Sequence, residues 1–85
     1  MNERDDAFGK YNLAKIDLAK LFVKFSSHKT SLNNLIGGYI IDTDYAKMDL
    51  IEAEILVESM KNLQAKIKKI QTEIDFYKEK FGFEE

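Results

Sequence analysis

Chemistry in an 85-residue chain must come from a few reactive side chains, and here these are one histidine, one acidic run and one lysine belt. His28 is the sole histidine, so the paired His-carboxylate ligand sets of four-helix di-metal sites have no counterpart. A phosphotransfer histidine would sit on a helical face with Lys and Gly shortly after it. Lys29 follows His28 at once, but Leu32 stands where the glycine is wanted, which leaves His28 as a polar hinge residue.

The densest acids are Asp42, Asp44, Asp49, Glu52 and Glu54. Asp42-Thr43-Asp44 begins like a calcium loop, but Ala46, Lys47 and Ala53 occupy the positions that need an oxygen ligand, a glycine and a bidentate glutamate. Asp49 and Glu52 lie one turn apart, yet nothing separates their proton affinities as an acid-base pair requires. Helix capping and solvation account for the run. Lys61, Lys66, Lys68 and Lys69 form the belt and are candidate phosphate contacts, which Lys10, Lys15, Lys20, Lys24 and Lys29 would extend. Against this reading, the net charge is −2 and no aromatic-interleaved basic motif appears. Arg4 is the single arginine, so no guanidinium cluster is available to grip phosphate or a dicarboxylate, as in the small helical chorismate mutases. No catalytic residue, metal ligand or cofactor site is assigned, and no family's motifs are legible.

The elements that must carry these residues are helices. Proline and cysteine are absent, and no run of 18 apolar residues or basic leader suggests a membrane span or signal peptide. The expectation is a single domain over residues 1–85 in the cytoplasm. Ala7, Tyr11, Ala14, Leu18, Leu21 and Phe25 recur at helical spacing, with Phe8 and Phe22 widening the same face and Leu13, Ile16 and Val23 adding an adjacent side. They predict a first helix over about 5–26 that touches more than one neighbour. Ser26 to Ser31 is the first polar interruption, rich in side chains that compete for backbone hydrogen bonds. Helix one is expected to stop there, with a short helix over about 31–38 carrying Leu32, Leu35 and Ile36 and reaching to Tyr39. A helix-turn-helix across Leu18 to Leu35 is a weaker alternative, since the turn has no glycine.

Gly37-Gly38 breaks the pattern, Tyr39-Ile40-Ile41 reads as a connector, and Asp42-Thr43-Asp44 as a cap, which starts a long helix at about 44 and ends it at about 82. A rival reading runs one helix from about 30 to 81 with the glycines as a kink. Gly82 is placed as the C-cap, with Phe83, Glu84 and Glu85 trailing away. Phe8, Phe76 and Phe83 lie off the main seams, either as an exposed aromatic patch or as packing between helix one and the distal end.

The long helix holds the clearest pattern. From Ala53 onward, Leu56, Met60, Leu63, Ile67, Ile70, Ile74, Tyr77 and Phe81 keep an unbroken 3-4 spacing with no charge in the seam. Such a helix is about 57 Å long against about 33 Å for helix one, so one chain is not expected to cover the seam. Exposing its apolar residues forfeits roughly 1.5 to 3 kcal/mol apiece. The fold class is therefore all-α: a short bundle of two to three helices with a long C-terminal helix forming a coiled coil. The functional expectation is a non-enzymatic association module, scaffold or adaptor, forming a homo-oligomer with a dimer favoured or joining another helical protein. The alternatives are a nucleic-acid-binding regulator using the Lys belt and a stoichiometric protein inhibitor; an internal antiparallel hairpin is the monomeric option.

Overall fold

A computed structural model describes residues 2–37 and 42–83, with the backbone alone described for 42–44. The protein is all-helical: α1 spans Glu3–Ile36, a 3-10 turn spans Asp42–Lys47, and α2 spans Leu50–Phe81. The two long helices pack antiparallel as a hairpin of 64 × 19 × 16 Å.

α1 begins where Asn2 caps it, its Oδ1 accepting from the Asp5 N–H at 2.9 Å, with Glu3, Asp5 and Asp6 in the first turn favourable to the helix dipole. It does not stop at Ser26 to Ser31. The expected helices over 5–26 and 31–38 are one element, which removes both the hinge role of His28 and the helix-turn-helix alternative. The reason is tertiary. Leu21, Phe25, His28, Leu32 and Leu35 continue the 4-3 spacing of the first half and are all partly buried against α2. The polar side chains that would compete with the backbone instead bond one turn back. Thr30 Oγ1 donates to the Ser26 carbonyl at 3.1 Å, and His28 Nδ1 lies 2.8 Å from the Lys24 carbonyl, which accepts.

The break falls at Gly37, whose N–H donates to the Asn33 carbonyl at 2.7 Å. A Cβ there would stand 2.7 Å from that same carbonyl oxygen, so glycine is needed. The rival helix over 30 to 81 is thereby overturned. The connector reading of Tyr39-Ile40-Ile41 lies outside the described residues, as do Gly38, Glu84 and Glu85. α2 starts six residues later than expected, because Asp49 rather than Asp44 caps it, its Oδ1 accepting from the Glu52 N–H at 2.8 Å. At the far end Gly82 adopts the left-handed conformation (φ 70°) and donates to the Lys78 carbonyl at 2.8 Å, which closes the helix as the sequence indicates.

The core sits at the open end of the hairpin. Ala7, Tyr11 and Ala14 of α1 meet Ile74 of α2 and Phe83 beyond it, with Leu18, Ile70, Tyr77 and Phe81 packed around them. The two alanines let the helix backbones approach, and Tyr11, only 1% exposed, fills the space between them. Phe83 does not trail away. Its ring stacks on Phe81 (5.5 Å between centroids) and contacts Phe8 and Tyr11 at 5.1 and 5.0 Å. Arg4 locks this end, donating to the Phe81 carbonyl while its guanidinium lies 5.0 Å from the Phe83 ring centre.

Candidate association surface

The seam residues Leu56, Met60, Leu63, Ile67, Ile70, Ile74, Tyr77 and Phe81 share one face of α2, and every one is partly or fully buried against α1 of the same chain. The length argument for an open seam fails because α1 has 34 residues and α2 has 32, about 51 and 48 Å at the helical rise. Helix one is half as long again as the sequence spacing implied, and it covers the seam from end to end.

The lysine belt is divided by the hairpin. Lys66 and Lys69 line one groove between the helices together with Lys20, Lys24, Asp17 and Glu73. Lys61 lies across α2 in a different groove, beside Phe25, Leu32 and Met60, and Lys68 is two helical turns from it on the same side. The four do not form one phosphate-binding row. In the acidic run, Asp49 is occupied as a cap, the side chains of Asp42 and Asp44 lie outside the described residues, and no group of three or more metal-ligating side chains gathers among the described residues. No helix among them is long and apolar enough to cross a membrane. Of the three aromatics off the seams, Phe8 and Phe83 pack at the open end, while Phe76 is half exposed on α2.

The outward faces of the two helices differ sharply in charge. Between Glu54 and Glu79, the α2 positions opposite the seam are largely polar or charged, among them Glu54, Glu58, Lys68 and Glu79, all exposed. This is an ordinary solvated face. Between Gly9 and Asn34, the α1 positions opposite the seam are apolar or small as far as Val23 and Ser, Thr or Asn beyond it, apart from Asn12 and from Lys20, which also lines the groove with Lys66 and Lys69. Leu13, Ile16 and Val23 on that side are 62, 53 and 70% exposed, and Phe8 and Phe22 flank them, each about half exposed. A helix that is apolar on two sides has two neighbours to satisfy, and the hairpin supplies one. These three residues are legible in the sequence as a second apolar side; what the sequence conceals is that α2 leaves that side uncovered.

The hairpin also carries more surface than its mass warrants. A compact monomer of 9.9 kDa exposes about 5,200 Å² by the usual scaling, whereas this chain exposes 6532 Å². The excess, about 1,300 Å², exceeds the roughly 800 Å² that each partner contributes to a standard interface. Compared with protein-family models, curated proteins and solved structures, the chain matches none.

Proposed function

We propose that the protein is a self-associating helical module, a non-enzymatic scaffold or assembly component whose building block is the antiparallel hairpin. The observation that carries this reading is the exposed apolar stripe of Leu13, Ile16 and Val23 on the outer side of α1, where Lys20 is the one charge, on a chain with a large surface excess. Two helices alone bury few side chains completely: among the described residues these are Ala7, Tyr11, Ala14, Ala53, Ile74 and Phe83. That is a thin core for a chain of this length, and association is the device open to one that contains no cysteine. In such an assembly the heptad-spaced seams of α1 and α2 act as an intrachain coiled coil and the outer side of α1 as the contact between chains.

The test is the concentration dependence of thermal unfolding, because self-association stabilises the folded state by mass action. The melting temperature should rise by several degrees over a hundredfold increase in protein concentration. A melting temperature independent of concentration removes the proposal.

A second reading, binding to a polyanion, draws on the groove where Lys20, Lys24, Lys66 and Lys69 converge. Asp17 and Glu73 share that groove and reduce its formal charge to +2, so the reading predicts weak, salt-sensitive binding only. No shift in the mobility of a short duplex at low salt ends it.

A further inference from the structure

We infer that a second copy of this chain covers the outer side of α1, the two α1 helices running antiparallel about a two-fold axis at Ile16. This rests on the self-association reading and specifies its surface and geometry. The argument begins with size. A two-fold axis at Ile16 pairs positions whose numbers sum to 32, so Ile16 meets Ile16, Leu13 meets Ala19, and Val23 meets Gly9 of the other copy. Leu13 and Val23 thus each face a small residue while Ile16 meets its own copy on the axis, and the surface is complementary to itself, as an isologous interface requires. Gly9 supports this independently. It lies in the interior of α1, where glycine is among the least favourable residues, and a Cβ there would meet nothing within 4 Å, so nothing inside the hairpin calls for it. The close approach of Val23 from the second copy does.

Charge sets the direction. Beside the stripe, Asp5 and Asp6 stand in the first turn of α1 and Lys20 and Lys24 in its second half, while Glu3 is engaged by Lys80 of α2 at 3.4 Å. Antiparallel pairing brings the acidic end of each helix beside the basic end of the other, whereas parallel pairing sets like charge against like. The helix dipoles oppose each other favourably in the same arrangement. The stripe from Phe8 to Val23 is about 22 Å long at the helical rise, a length over which two helices pack side by side.

The chain has no cysteine, so single-cysteine variants report contacts cleanly. Ile16→Cys should form a disulfide-linked dimer under mild oxidation. Leu13→Cys mixed with Ala19→Cys should give the heterodimer in preference to either homodimer, and Ala65→Cys on the outer side of α2 should stay monomeric on a denaturing gel. Ile16→Glu should weaken dimerisation on the order of a hundredfold or more and leave helicity unchanged, since Ile16 makes no core contact within the hairpin. A wild-type dimer that cross-links through Ala65→Cys rather than Ile16→Cys, or that survives Ile16→Glu, overturns this geometry and leaves self-association standing. A wild type that is monomeric at every concentration overturns both. If that monomer also sediments with phosphatidylglycerol vesicles, the face belongs to a bilayer surface instead.

Discussion

Tyr11 is the most completely buried side chain of the hairpin, and its hydroxyl is buried without a hydrogen-bond partner among the described residues. Two substitutions at this one position should therefore act in opposite directions. Tyr11→Phe keeps the ring against Phe8 and Phe83 and removes a polar group that lost its water on folding and gained nothing in return. The desolvation of an unpaired buried hydroxyl costs about 1 to 3 kcal/mol, so this variant should be more stable by about 1 kcal/mol, or about 4 to 8 °C in melting temperature. Tyr11→Ala removes the ring itself, and a buried aromatic replaced by alanine costs about 3 to 5 kcal/mol. An 85-residue chain has roughly 4 to 13 kcal/mol in all, so the alanine variant should lose a large part of it. The assay is urea denaturation followed by far-ultraviolet circular dichroism at one fixed protein concentration, so that association contributes equally to all three proteins. A Tyr11→Phe protein less stable than wild type by more than about 0.5 kcal/mol would refute the reasoning, because the hydroxyl would then have a partner and the register of α1 on α2 would be different.

The remaining predictions concern helix ends and surfaces. Asp49→Ala should cost about 1 kcal/mol by removing the α2 cap, while Asp44→Ala should cost almost nothing; denaturant midpoints that rank them the other way would restore the earlier start of the helix. Gly82→Ala should cost about 1 to 2 kcal/mol, because a side chain is strained at a left-handed φ of 70°, and an unchanged melting curve would contradict the cap. Phe83→Ala should cost about 3 kcal/mol or more although it lies two residues beyond the last helical residue of α2; a loss below about 1 kcal/mol would mean the ring is not packed on Phe81 and Tyr11. Replacing Lys61, Lys66, Lys68 and Lys69 together by Gln should leave the solution mass unchanged, since they lie on α2 and not on the outer side of α1, and a fall in mass would move the interface to α2.

The helical class and the α2 seam are legible in the sequence because an apolar residue every three or four positions is a direct record of a buried face. Gly82 is legible for the same kind of reason, as the one residue able to take the left-handed turn without strain. Ser26 to Ser31 misleads because local preference and tertiary packing disagree there. Serine and threonine weaken an isolated helix, but Phe25, His28 and Leu32 keep their places on the seam and the hydroxyl of Thr30 is satisfied one turn back. That single misplacement shortens helix one and produces the expectation that the seam is too long for its own chain. Phe83 is legible as one of the aromatics packing helix one on the distal end, and only its trailing away is wrong: an apolar residue directly after a C-cap glycine commonly folds back on the last turn of its helix. The two candidate caps of α2, Asp44 and Asp49, are chemically equivalent, and only the intervening 3-10 turn decides between them.

The central claim is that the hairpin satisfies its own seam and presents the outer side of α1 to a second copy. Light scattering on the purified protein across a concentration series tests it most directly. The account predicts a mass of twice 9.9 kDa at high concentration, falling to 9.9 kDa on dilution or on introducing Val23→Glu. A mass of 9.9 kDa at every concentration would contradict it.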